Sequence, residues 1–179
     1  MKAHPGQVSY ASYSAGTMSH VLGLLLNQAA GLDMVHVGYK GSTPALTDVM
    51  GGHVPLMFDA LPTSLPLLKG GRIKAFATSA SRRSALRPGV PTFHELGYPQ
   101  LDASAWMGLW VRPDTPPALQ AAVRAAALKA LAQPGVRERL LETGFEPGEP
   151  RGVDDLRQGL AADSQRVGAT LKAIGFQPE

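Results

Sequence analysis

Residues 7–37 read QVSYASYSAGTMSHVLGLLLNQAAGLDMVHV, and this stretch decides the fold class. The Pro5-Gly6 turn introduces a short β-favouring run at residues 7–11. Residues 17–30 then place Met18, Val21, Leu22, Leu25, Leu26 and Ala29 at helical spacing, and Gly31 stops the helix. A second β run follows at residues 34–37. A strand, a helix and a strand joined by such short connections predict parallel strands with a right-handed crossover.

The same alternation continues outward. Ser42-Thr43-Pro44 opens a second helix, with Pro44 suited to a first helical turn, and Gly51-Gly52 closes it. A third strand is expected at residues 54–58, a third helix at 61–69 ended by Gly70-Gly71, and a fourth strand at 73–78. Residues 79–100 are rich in Ser, Arg, Pro and Gly and read as a linker. Beyond it lie a strand candidate at 105–111, carrying Trp106 and Trp110, and helices at 115–132, 135–142 and 153–174. The last helix aligns Val153, Leu156, Leu160, Val167, Leu171 and Ile174 on one stripe. One strand and three helices do not build a two-sided core, so this half is expected to complete a domain whose other pieces lie elsewhere.

Composition narrows the function. The chain has 179 residues, 44% of them hydrophobic, and a net charge of +3 with the two signs interspersed. Arg82, Arg83 and Arg87 form the single basic cluster, which reads as a solvated loop, so no nucleic-acid partner is expected. The absence of cysteine removes disulfides, thiol catalysis and zinc–thiolate sites. The longest apolar run, residues 21–26, is far short of the ~20 residues of a membrane span. Met1-Lys2 leads straight into Ala3-His4-Pro5-Gly6 without a secretory leader pattern, as though the chain began partway through a fold.

In an open parallel sheet the ligand crevice lies beyond the carboxyl ends of the strands. Those ends deliver four loops: residues 12–17, 38–43, 59–62 and 78–82. Three run into helix N-termini, which offer unpaired N–H groups and the positive end of the helix dipole. Such a rim suits a carboxylate without any net positive charge. Ser14, Gly16, Thr17 and Ser19 surround the first start; Gly41, Ser42 and Thr43 surround the second. Each loop alone reads more simply as a capped turn, and the convergence of three such loops on one face raises the ligand reading. Asp59, at the end of an apolar run, is either a cap for the next helix or an acceptor for a ligand hydroxyl or amine. Lys40 could counter a second carboxylate.

A catalytic reading competes with this one. Ser19, His20 and Asp59 supply the residue types of a hydrolytic triad. Ser19 and His20 are adjacent in a helix, so their side chains diverge, and no G-x-S-x-G elbow is present. His4, His20, His36, His53 and His94 show no metal-ligand spacing. No phosphate-loop or dinucleotide fingerprint occurs, and neither a metal nor a cofactor is expected.

The strings Ala3-His4-Pro5-Gly6, Gly16-Thr17-Met18-Ser19-His20 and Val35-His36-Val37-Gly38-Tyr39-Lys40-Gly41-Ser42 resemble the substrate-binding proteins of tripartite tricarboxylate transporters, the Bug family. Ala45-Leu46-Thr47-Asp48, Gly51-Gly52-His53-Val54, Met57-Phe58-Asp59-Ala60-Leu61-Pro62, Val90-Pro91-Thr92 and Ala105-Trp106-Met107-Gly108-Leu109 extend the likeness over the whole chain. The resemblance implies a type II periplasmic-binding-protein-like α/β fold with a parallel sheet flanked by helices. It divides the chain into a ligand-binding α/β domain at 1–80, a crossover at 81–101, and a C-terminal strand-and-helix segment at 102–179 that completes the other domain.

It further implies a periplasmic receptor, not an enzyme. Such a receptor presents a dicarboxylate, tricarboxylate, amino acid or aromatic acid to membrane transporter subunits or to a sensor. Carried over by matching strings, Ser14, Ala15, Gly16, Thr17, Ser19 and His20 form the ligand loop. Lys40, Gly41, Ser42, Asp59 and Ala60 line the same pocket. Tyr13-Ser14-Ala15 departs from the small residues usual there, which leaves the solute open. Family members are longer, so the chain is expected to be a truncated form that lacks one carboxylate loop and self-associates through its exposed C-terminal segment. A small hydrolase or lyase using His20 and Asp59, and an interaction fragment without a ligand, remain the alternatives.

Overall fold

The computed structural model describes residues 5–103 and 106–176. His4 and Ala105, the latter the first residue of the expected strand at 105–111, lie outside the described residues. The centre is the β–α–β unit that the opening stretch predicts. Strands β1 (Ser9–Ser12) and β2 (Val35–Gly38) pair in parallel, with Tyr10 beside His36 and Ser12 beside Gly38. Helix α1 (Met18–Ala30) makes the crossover between them. On its other side β1 meets the next segment through a parallel bridge, Ala11 to Met57, and the Ala11 amide donates to the Leu56 carbonyl at 2.8 Å. Flanked on both sides, Tyr10, Ala11 and Ser12 are fully buried.

Two local devices set this unit. Gly23 in α1 lies under the Tyr10 ring, so the helix and strand approach more closely than any side chain at 23 permits. Gly31, in the left-handed conformation, ends α1 by donating its N–H to the Asn27 carbonyl. The Asn27 side chain then grips the start of β2 from both sides: its amide nitrogen donates to the Met34 carbonyl and its oxygen accepts the Met34 N–H, each at 3.0 Å. A side-chain amide thus supplies the paired donor and acceptor that a neighbouring strand would offer.

Helices α2 (Ser42–Met50) and α3 (Leu61–Lys69) follow at the expected places. Ala45 and Val54 close a small core with Ala11, and Tyr39 and Met57 pack against it. The strand expected at 54–58 shortens to the single Met57 bridge. Pro55 within it has no N–H to give a ladder. The strand expected at 73–78 likewise reduces to one parallel bridge, Thr78 to Thr92, and Phe76 is 78% exposed. The linker at 79–100 is mostly turns; a short 3-10 turn at Pro99–Leu101 follows and buries Leu101.

Residues 106–111 form no strand. Met107, Leu109 and Trp110 are 80%, 71% and 66% exposed, and no backbone partner for them occurs among the described residues. Helices α4 (Pro117–Leu131), α5 (Pro134–Glu142) and α6 (Val153–Ala173) form as expected but bury none of their residues. Polar tethers attach them. The Glu146 carboxylate accepts from Ser84 Oγ at 2.6 Å and from the Ala85 amide at 3.1 Å. Arg166 donates to the Asp102 carbonyl at 2.6 Å, and Trp106 Nε1 to Asp163 at 2.9 Å. Gly144, at φ +89°, fits against Pro62 at the start of α3.

Candidate functional site: three helix starts around Phe58-Asp59

The loop of residues 12–17 leaves β1 and enters α1. The Ser12 hydroxyl donates to the Ser14 carbonyl at 3.0 Å, and Thr17 Oγ1 donates to the same oxygen at 2.7 Å. These bonds fold the loop tightly, with Gly16 at φ +74° providing the left-handed turn. Ser14, Ala15 and Gly16 are exposed, and Gly38 at the end of β2 lies beside the Ala15 amide.

Phe58 and Asp59 gather the three helix starts. Ser19, 2% exposed in the first turn of α1, donates its hydroxyl to the Phe58 carbonyl. The Asp59 carboxylate accepts from Ser42 at the start of α2, and from Thr63 and Ser64 in the first turn of α3, each at 2.6 Å. One dipeptide therefore holds the N-termini of α1, α2 and α3 together. None of these helices has a side-chain cap: Thr17, Gly41 and Ala60 stand at the cap positions without a capping side-chain bond. Pro44 and Pro62 have no N–H and the Thr63 amide is taken by the Ala60 carbonyl, so the first-turn N–H groups left for water or a ligand are those of α1 and of Ser42, Thr43 and Leu61, beside three dipole ends.

Asp59 was expected as a ligand acceptor or a cap; its place is a brace shared by three hydroxyls. Its negative charge adds to the larger effect of burial in raising the Tyr13 phenol above the ordinary tyrosine value. Ala60 is exposed, and its carbonyl accepts the Thr63 and Ser64 amides. Lys40 is exposed and makes no ion pair among the described residues. The fourth expected loop, residues 78–82, turns elsewhere: its hydrogen bonds run to residues 91 and 93 of the crossover and to Ala103 just beyond it.

The triad reading finds no geometry. Ser19 bonds to a carbonyl, Asp59 to three hydroxyls, and His20 Nδ1 accepts the Gly16 amide at 3.1 Å. No two of the three are hydrogen-bonded to each other. His20 instead stacks on His36, ring centroids 3.8 Å apart and planes 18° from parallel. Burial lowers the pKa of His20. Burial, and then the nearness of His20, lowers that of His36. Tyr10 lies beneath both, and burial pushes its phenol up to about 12. Ser12 lies within the expected loop, whereas His36 and Phe176 are neighbours that the sequence does not point to. The strand register carried the signal for one of them, since Tyr10 and His36 are cross-strand partners. No group of three or more metal-ligating side chains occurs among the described residues.

The sequence model of the family described as "Tripartite tricarboxylate transporter family receptor" matches residues 1–176. Among curated relatives, Protein BugT of Bordetella pertussis is 33% identical over 97% of this chain and 53% of its own length. A protein from the tcbD-tcbE intergenic region of Pseudomonas sp. is 32% identical over 87% and 47% respectively. Among solved structures, Rpa4515 of R. palustris with adipate superposes at TM-score 0.90, with 28% identity over 99% of this chain and 59% of that one. MatC from Rhodopseudomonas palustris with bound malate gives TM-score 0.80 and 30% identity over 97% and 58%. The periplasmic binding protein BugD gives 0.81 and 27% over 99% and 60%. The chain spans about half the length of the curated relatives it matches.

Proposed function

The chain belongs to the tripartite tricarboxylate transporter receptor family, and from that premise we propose that it captures one carboxylate of a small organic acid at the loop of residues 14–20 and the Gly41 and Ala60 helix starts. The observation that carries this reading is the meeting of three uncapped helix N-termini on Phe58-Asp59. Backbone N–H groups at helix starts bind anions through directed hydrogen bonds and the local dipole, and they need no cationic side chain. Residues 1–80 supply this half of the site. The acid belongs to the same broad class as the adipate and malate held by the structural relatives. The setting is periplasmic, and the partners are the membrane subunits of a tripartite-type transporter.

Calorimetric titration with adipate, malate, an amino acid and benzoate tests this. Binding to one chemical class is expected, with affinity falling about tenfold or more when that acid is replaced by its methyl ester, since the ester oxygens carry no charge for the N–H groups to stabilise. Equal affinity for acid and ester would remove the carboxylate from the reading.

A further inference from the structure

The imidazole of His20 accepts the Gly16 N–H at Nδ1. A nitrogen that accepts carries no proton, so His20 is the neutral tautomer protonated at Nε2. His36 is placed differently. Its Nε2 lies 2.7 Å from Ser12 Oγ, and the single Ser12 hydroxyl proton is directed to the Ser14 carbonyl. The Ser12 hydroxyl can accept from a protonated His36 nitrogen as well as donate to a bare one, so a second proton on His36 leaves that contact intact. A second proton on His20 would turn its acceptor into a donor facing the Gly16 N–H. The two stacked rings are thus chemically unequal.

We propose that His20 is a proton-operated latch on the loop of residues 12–17: neutral it holds the Gly16 amide, and protonated it releases that amide.

The surroundings define the electrostatics. From β1 the titratable group facing His20 is the Tyr10 phenol, whose hydroxyl donates to the His20 carbonyl at 3.2 Å. From β2 it is His36. The segment after α6 contributes the uncharged ring of Phe176, edge-on at 5.6 Å and in contact with Gly16. Asp59 is engaged by its three hydroxyls, and among the described residues no carboxylate, lysine or arginine is hydrogen-bonded to either imidazole. Nothing in this shell favours an imidazolium, and burial holds both rings below the ordinary histidine value. The sign follows. For a histidine whose folded-state value is depressed, the latch is complete above the ordinary value of about 6.5 and is lost as pH falls through the lower folded value. A proton on His20 places a charge against His36, which makes uptake there harder.

The inference stands apart from the carboxylate reading, because it is tested in the chain without ligand. Two-dimensional NMR on the full chain, from about pH 7.5 to about 4.5, follows the Gly16 amide and the histidine ring protons together. Gly16 protection, corrected for intrinsic exchange, is expected to fall about five- to tenfold as the His20 ring titrates, the equivalent of one hydrogen bond. The amides of Val21 and Leu22 keep theirs. In His20→Phe, Gly16 is unprotected at every pH. The proposal is overturned if Gly16 protection stays constant across the range, or if its pH-driven loss survives in His20→Phe. The wild-type chain alone decides the first point, so a misfolded variant does not shield the idea.

Discussion

Gly23→Ala loses about 3 kcal/mol of folding stability or more, at the upper end of what an added methyl costs in a packed interior. A Cβ at this site would lie 2.0 Å from Cε2, 2.2 Å from Cζ and 2.6 Å from Cδ2 of Tyr10. The ring has nowhere to go. It is fully buried, it lies against His36 and edge-on to Phe58, and its hydroxyl is bonded to the His20 carbonyl. The alternative is to lift α1 off the sheet, which breaks the Ser19 bond to Phe58 as well. Gly159 in α6 is the control. Nothing lies within 4 Å of its added Cβ, so Gly159→Ala stabilises by about 0.5–1 kcal/mol through helix propensity alone. Urea unfolding of both variants makes the comparison, and equal effects would refute close packing of Tyr10 on Gly23.

Asp59→Ala is expected to weaken the fold and the proposed carboxylate site together. Hydrogen bonds to a charged acceptor contribute about 1.5–3 kcal/mol when sheltered. Of the three donors only Ser64 is buried, so the net loss is about 2 kcal/mol once solvent competes for Thr63 and Ser42. The larger consequence is positional. With Ser42, Thr63 and Ser64 released, the starts of α2 and α3 are no longer held to one anchor. Affinity for the preferred acid then falls further than in Lys40→Ala, whose side chain makes no ion pair or hydrogen bond among the described residues. Asp59→Asn recovers part of the stability, because its amide oxygen still accepts one hydroxyl. Melting temperature and calorimetric affinity of the three variants separate these outcomes. An Asp59→Ala chain that keeps both would show that the brace is dispensable.

How legible all this was in the sequence varied with the range of the interaction. The helices were readable because their apolar spacing and Gly or Pro punctuation are local. Helices α1, α4, α5 and α6 form where periodicity placed them. The strand runs were readable as β-favouring segments, but a ladder needs a partner, and residues 73–78 and 106–111 have none beyond the Thr78 bridge among the described residues. Pattern alone does not report whether a neighbour arrives. The loops at Gly16, Gly41 and Asp59 were legible as strand-to-helix corners. The role of Asp59 was not, since its partners Ser42, Thr63 and Ser64 are set by how α2 and α3 settle. The stacking of His20 on His36 joins residues sixteen apart and follows from the β1–β2 register, which alternation along one strand cannot reveal.

The second half of the chain carries a different consequence. Helices α4, α5 and α6 contribute no buried residue, and they hang on a few polar tethers, the Gly144 contact and the Phe176 ring against His20. Cooperativity comes from shared apolar burial, so a body attached this way does not melt with the β–α–β unit as one phase. Its amides exchange from small local openings, while those beneath Tyr10 wait for a far rarer event. A single melting temperature therefore describes the first half, and the second is better described as a distribution of openings grafted onto it.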